Sequence, residues 1–242
     1  MIRIRLIAVE LRRAIDTPAP RWAIGASILV GIALTCLQPN GPSDTFADFM
    51  SVASIALPLL AGLLAVMAFT SDWATRAALI TFTLSPRRSH VLAARYCAVI
   101  IITVGLVIAL HVIGAVTYAA LCPDAAGSII DASVGRQLGS MVGLVVSVTL
   151  TSIAVAGLVL RTALALVVAV FVPFSLTIGL GFLPTGADWL GPYSFSSWLA
   201  DPTIGWWMAD RVGVGPAVTS FLLWTAAPCL LGWIRQLRTE PR

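Results

Sequence analysis

The stretch AARYCAVIIITVGLVIALHVIGAVTYAAL, residues 93–121, carries one arginine near its start, one histidine past its middle and neither an acid nor a lysine. A helix crosses the hydrocarbon core of a bilayer with about 20 apolar residues, and this run is longer. Its apolar residues are continuous rather than alternating, which reads as a helix and excludes a strand of a membrane barrel. Only helices and closed barrels satisfy their own backbone groups in lipid. Composition extends the reading to the whole chain: 59% of the 242 residues are hydrophobic and 11% are charged, where a soluble domain has about a quarter charged. The length fits one membrane domain, residues 1–242, and leaves little for a second, soluble one.

Five more runs qualify or nearly so: residues 22–37 (short, extendable back to Ala19), 52–69, 138–160, 162–183 and 214–234. The expected fold class is therefore an all-α membrane protein with six transmembrane helices. All 15 basic residues are arginine, and lysine is absent. With six spans and both termini cytoplasmic, only Arg136 and Arg211 fall outside, so the positive-inside rule supports that orientation. The arginines flank apolar runs and form no continuous basic face, which argues against nucleic acid as a partner.

Residues 2–16 precede the first run and read as an amphipathic helix. Ile4, Ile7, Leu11, Ala14 and Ile15 share one face, and Arg5, Arg12, Arg13 and Asp16 another. Such a helix lies in the membrane interface with its apolar stripe in the lipid. Pro18 and Pro20 then turn the chain into the first span, so residues 1–18 form an interfacial segment. A lipoprotein signal ending at Cys36 is rejected, because threonine precedes that cysteine and five further spans follow.

The chemistry of known sites is mostly absent. Cysteines at 36, 97, 122 and 229 lack metal-ligand spacing, and no HExxH or GxSxG occurs. Cys36 and Cys122 fall near outer helix ends, where a disulfide is possible; free, buried thiols are expected. No metal site is expected. No acid sits inside a span, which argues against a carboxylate proton relay. His111 is the one ionisable side chain well inside a run, suited either to an interhelical hydrogen bond or to a substrate pathway. A P-loop needs lysine at the phosphates, so the chain is expected to hold no cofactor and no ATPase site of its own.

The connector between the second and third runs, SDWATRAALITFTLSPRRSHVLAARY (residues 71–96), spends four arginines and an aspartate on one segment. Residues 75–84 can form a short helix that Pro86 ends. The pattern of Asp72, then Leu84-Ser85-Pro86-Arg87-Arg88, then Arg95 resembles the first cytoplasmic segment of ABC-2 type permeases, the membrane subunits of many bacterial ABC exporters. Asp72 stands where glutamate is common, Arg76 and Ala77 where Gly-Thr is usual, and Arg95 where lysine is usual. Gly157-Leu158-Val159-Leu160-Arg161-Thr162 is similar to that family's short inner turn between spans four and five.

The resemblance implies an ABC-2 (type V exporter-like) permease bundle in a bacterial cytoplasmic membrane. Residues 70–92 would be its coupling segment. Asp72, Arg76, Pro86, Arg87, Arg88, Arg95 and Arg161 would contact a cytoplasmic ABC ATP-binding subunit, present in two copies and holding ATP and magnesium. A second permease subunit, identical or homologous, would complete the pathway. Residues 184–213 would form the outer segment with short re-entrant helices, and Trp189, Trp198, Trp206 and Trp207 read as its interfacial anchors.

Gly135, Gly139, Gly143, Ser147 and Thr151 recur every fourth residue, a small-residue ridge for close helix packing within the chain or against a second copy. Asp72 is expected to pair with Arg76 or an arginine of the N-terminal helix. The expected function is the transmembrane subunit of an ATP-driven exporter for an amphipathic or lipid-like substrate such as a drug, a peptide or a lipid. The alternatives are an ion-driven secondary transporter and a membrane anchor or immunity protein that transports nothing.

The topology has a direct test. Single cysteines replacing Ser43, Ser128 or Ser197, in a background without native cysteines, should react with an impermeant thiol reagent on intact cells. Labelling only after permeabilisation reverses the orientation.

Overall fold

The computed structural model describes residues 4–16, 18–36, 45–74, 88–182, 187–199 and 212–238, and these contain helices but no strand. Helix α1 (Ile4–Asp16) leads into α2 (Pro18–Cys36). Helices α3 (Phe46–Ala53) and α4 (Leu57–Ala74) follow, then the long α5 (Arg88–Leu121). A 3-10 segment (Pro123–Ile130) connects α5 to α6 (Ala132–Val159), and α7 (Thr162–Leu180) comes next. Two short helices, α8 (Ala187–Leu190) and α9 (Ser194–Leu199), precede the last helical run. That run is α10 (Val214–Ser220), a π-helical turn (Phe221–Ala226) and α11 (Ala227–Arg238).

Four helices are long and apolar enough to span a membrane, and six spans result if each of two bent pairs counts as one. The chain is thus a multi-pass membrane protein by helix length and hydropathy. At about 1.5 Å per residue, α5 is roughly 50 Å long, well over the ~30 Å hydrocarbon core. It is thus longer than one crossing needs.

The bends have chemical causes. The run read as a span over residues 52–69 is broken at Ser54–Ala56, where α3 and α4 meet at 42°. Pro58 has no N–H to offer the Ser54 carbonyl, and its ring crowds that carbonyl; Leu57 N–H donates to it instead, at 3.0 Å. In the last run Pro228 likewise offers nothing to Trp224. There the ladder widens by one residue, with Ala227 N–H donating to Leu222.

The core has two parts. At one end Phe46, Phe49 and Met50 of α3 pack with Tyr118 of α5 and with Met141 and Leu144 of α6. The Tyr118 ring stands 5.6 Å from that of Phe46 and 5.2 Å from that of Phe49. Gln137, fully buried, donates its amide to the Ala47 carbonyl at 2.8 Å and ties α6 to α3. At the other end Phe69 of α4, Leu92 and Val99 of α5, Ile153 and Ala156 of α6, and Ala165 of α7 form the second part. Beyond Ala165 and Pro173, α7 buries little; Leu164, Val167, Phe171, Phe174 and Ile178 are exposed, the surface of a helix on the lipid side.

Helices α6 and α11 cross at a pair of glycines. A methyl group placed on Gly157 would stand 3.3 Å from the Gly232 Cα, and one on Gly232 would stand 3.1 Å from the Ala154 carbonyl oxygen. Without side chains the backbones approach, so dispersion contacts replace the missing hydrophobic drive between helices in lipid.

The small-residue ridge of α6 is not one continuous interface. Gly135 and Gly139 have no neighbour that a methyl group would meet, whereas one on Gly143 would touch Leu199 of α9 at 3.4 Å. Ser147 is buried, and the Thr151 and Thr225 hydroxyls bond at 2.9 Å. Cys97, Cys122 and Cys229 are free thiols, so no bridge joins Cys122 to Cys36, whose side chain lies outside the described residues.

The glycine crossing predicts opposite effects from two substitutions. Gly157→Leu should force α6 and α11 apart and cost on the order of 1–3 kcal/mol, read as a lower unfolding midpoint of the purified protein in detergent. Gly105→Ala on open helix surface should leave the midpoint unchanged or raise it. Equal midpoints for Gly157→Leu and wild type would refute the close crossing.

Candidate functional site at the Arg95 end of the bundle

Arg95 sits two turns into α5. Its side chain is 5% exposed, and its Nε donates to Glu10 Oε2 of α1 at 3.2 Å; the Glu10 side chain is 7% exposed. Arg13 approaches the other carboxylate oxygen at 3.9 Å. The Arg95 guanidinium carbon also lies 5.7 Å from the centre of the Phe69 ring on α4, within range of a cation–π attraction. A buried charge without a partner is costly. Here carboxylate, second arginine and ring face together replace the lost water.

Aromatic contacts extend the cluster. Tyr96 meets Phe69 edge-on at 5.1 Å and Trp233 of α11 at 5.7 Å. Four elements distant in sequence, α1, α4, α5 and α11, thus converge around two consecutive residues of α5. The described chain ends α1 and α11 accordingly lie at the same end of the bundle.

The turn between α6 and α7 joins this cluster. Leu160 adopts a left-handed conformation with φ of 58°, the one non-glycine residue to do so among the described residues. Such a residue costs roughly 1–2 kcal/mol, and it closes α6 by donating its N–H to Ala156 at 2.9 Å. Arg161 then sits exposed at the N-cap of α7. Arg235 of α11 donates to the Leu158 carbonyl, an acceptor left over at the helix end. The Thr70 hydroxyl, near the end of α4, donates to that of Thr162 at 2.9 Å. Beneath the turn, Gln236 is fully buried against Gly157, its amide oxygen and nitrogen both unpartnered.

These contacts revise three expectations. Arg95 was expected to face a partner subunit; it is turned inward, onto Glu10 and the face of the Phe69 ring. The N-terminal helix was expected to lie in the interface with its apolar stripe in lipid; one edge of it, carrying buried Glu10, also docks on α5. His111 bonds through Nδ1 to the Val107 carbonyl of its own helix at 2.9 Å, and its buried Nε2 has no partner. It makes no interhelical hydrogen bond through either nitrogen.

Arg76, Pro86 and Arg87, with the short helix expected over 75–84, lie outside the described residues. So do the side chains of Asp72 and Arg88, which occupy α4 and the first position of α5. Glu10, Tyr96, Trp233, Arg235 and Gln236 were not singled out from the sequence. For Glu10 a signal existed: it lies one turn from Ile7 and Ala14 on the helix surface, on the side away from Arg5 and Arg12. No group of His, Cys, Asp and Glu side chains suited to a metal ion occurs among the described residues.

At the opposite end, α8 and α9 are too short to satisfy their own carbonyls. The last helical run supplies the donors. Thr219 Oγ1 bonds to the Trp189 carbonyl at 3.1 Å, Trp224 Nε1 to Leu190 at 2.9 Å and Ser220 Oγ to Gly191 at 2.8 Å. Trp189 and Trp198 are half-exposed beside them, while Trp206 and Trp207 lie outside the described residues.

Comparison with known proteins gives a family without an assigned activity. The family described as "Protein of unknown function (DUF2705)" matches residues 31–198, more than half of the chain, and the chain belongs to it. No curated protein matches the chain.

The buried pair predicts strong non-additivity. Glu10→Gln should lose about 3–5 kcal/mol, because it strands the Arg95 charge, and Arg95→Met should lose less, because Arg13 stays beside Glu10. The double variant should lose far less than the sum. Additive losses in a thermal or denaturant series on the purified protein would contradict the pairing.

Proposed function

We propose that this chain is the membrane-spanning subunit of an ATP-driven exporter of the ABC-2 permease kind. In this reading it moves an amphipathic or lipid-like substrate while two separate subunits hydrolyse ATP. The observation that carries the proposal is the Thr70–Thr162 hydrogen bond at 2.9 Å. It draws together the end of α4, which leads into the arginine-rich connector, and the turn that presents Arg161. The resemblance in sequence implies an ATPase contact for both of these segments. They are 92 positions apart, and a shared docking partner gives a reason for their adjacency.

The mechanism follows from what those segments are attached to. A partner that pushes on the connector and on Arg161 moves the ends of α4 and α6 and the start of α7 as one body, since Phe69, Ala156 and Ala165 share one packed cluster. The Arg235 contact with Leu158 passes that displacement to the last span. Arg95 acts here as a positioning residue. Bound to Glu10, it holds the start of α5 against α1, so that movement of the connector tilts helices instead of unravelling them. Closure of the ATPase pair on ATP would supply the force, and a second permease chain would complete the pathway between two such bundles.

Co-expression with a candidate ABC ATP-binding subunit tests the proposal. Wild type should co-purify with that subunit and show substrate-stimulated ATP turnover. Arg88→Glu should insert normally, because the other basic residues keep the topological bias, yet lose co-purification or turnover by at least about tenfold, since reversing a charge at a desolvated contact costs several kcal/mol. If Arg88→Glu co-purifies and turns over ATP as wild type does, the docking assignment fails. If the wild-type chain binds no ATPase at all, the exporter reading fails with it.

A further inference from the structure

Successive helix positions rotate by about 100°, and on α1 this divides the surface into three arcs. Glu10, flanked by half-buried Ile7 and Ala14, faces the bundle. Ile4, Ala8 and Ile15 make the next arc; all three are exposed, Ile4 at 83%. Arg5 and Arg12, two turns apart on one stripe, come next and are exposed with Asp16. The axes of α1 and the start of α2 meet at 70°. With α2 as a span, α1 lies near the plane of the membrane, its apolar arc toward the acyl chains and its arginine stripe at headgroup depth.

Among the described residues, the charges around this corner do not balance. Arg12 and Arg21 share Asp16, at 3.5 and 3.0 Å, and Arg13 and Arg95 share Glu10. Arg21 is further committed to the Ile15 carbonyl at 2.7 Å, where it closes the end of α1. Arg5 adds another cation, and among the described residues the arginines outnumber the carboxylates at this corner. An exposed apolar arc beside surplus guanidinium groups matches one occupant in particular. Acyl chains fill the first, and phosphate oxygens take the forked N–H donors of the second.

We propose that α1 and its corner with α2 bind the headgroups of anionic phospholipids, with Arg5 and Arg12 as the phosphate contacts. The Glu10–Arg95 pair fixes the rotation of α1, so the arginine stripe is presented at one depth. This surface does not depend on the transport reading and is tested without an ATPase.

The full-length chain, purified in mild detergent with equal phosphatidylglycerol and phosphatidylcholine, is examined by native mass spectrometry for retained lipid. Wild type should retain phosphatidylglycerol several-fold over phosphatidylcholine. Arg5→Gln with Arg12→Gln should bring that preference close to one, and Arg136→Gln should leave it unchanged. Equal retention of both lipids by wild type, or an undiminished preference in the double variant, overturns the proposal. A second reading needs no arginine variant of the stripe. In nanodiscs of the same lipids, a nitroxide on Ile4→Cys should relax with oxygen more than with an aqueous nickel chelate. Relaxation mainly by the chelate, or by neither reagent as under a covering protein, overturns it as well.

Discussion

Glu10 and Arg95 leave water together, and that shared burial constrains the rest of this end of the molecule. Neither charge tolerates the site alone, because the desolvation of an unpaired ion exceeds what packing returns. The pair therefore acts as a conditional joint. Helix α1 docks in the one rotation that brings Glu10 to Arg95, and α5 begins in the one register that lets Arg95 reach both Glu10 and the Phe69 face. Once Arg95 is placed, its neighbour Tyr96 sits between Phe69 and Trp233. A single residue pair thereby locates the N-terminal helix, the end of α4 and the last helix relative to one another.

A second regularity is the treatment of helix ends. Carbonyls that a helix cannot satisfy are met by side chains from distant elements: Arg235 at Leu158, Trp224 at Leu190, Ser220 at Gly191. An amide N–H is met the same way, Phe46 by Ser128. In a medium with little water an unmet polar group is expensive. These bonds consequently select the tertiary arrangement as much as they decorate it. They also explain how α8 and α9 persist although they have four and six residues, well below the length at which helices are stable alone.

The two ends differ in character. Around Tyr118 the contacts are aromatic and aliphatic, with Gln137 and Ser128 as isolated polar ties. Around Arg95 they are charged and involve several turns and termini, including one strained residue, Leu160. Strain and buried charge are retained where a surface is shaped for a purpose. This contrast directs attention to the Arg95 end in a family whose activity is unassigned.

Much of the architecture was legible in one dimension. Continuous apolar runs in a chain with few charges can satisfy their backbones in lipid only as helices, and they are helices. Residues 2–16 were legible as an amphipathic helix because the repeat of Ile4, Ile7, Leu11 and Ile15 is local. What the sequence could not settle depended on which helices meet. Arg95 read as a contact for a partner ATPase until α1 brought Glu10 to it. The glycine ridge of α6 looked uniform, yet α9 covers Gly143 and leaves Gly135 and Gly139 bare. Thr70 carried no signal, and Thr162 stood only as the last residue of a turn motif, since a hydroxyl pair acquires meaning only when two backbones approach within hydrogen-bonding distance. Hydrophobic periodicity is a property of a single helix, so the sequence alone determined the elements. Partner choice among buried charges and helix-end carbonyls is a property of pairs of helices, so the tertiary structure decided it.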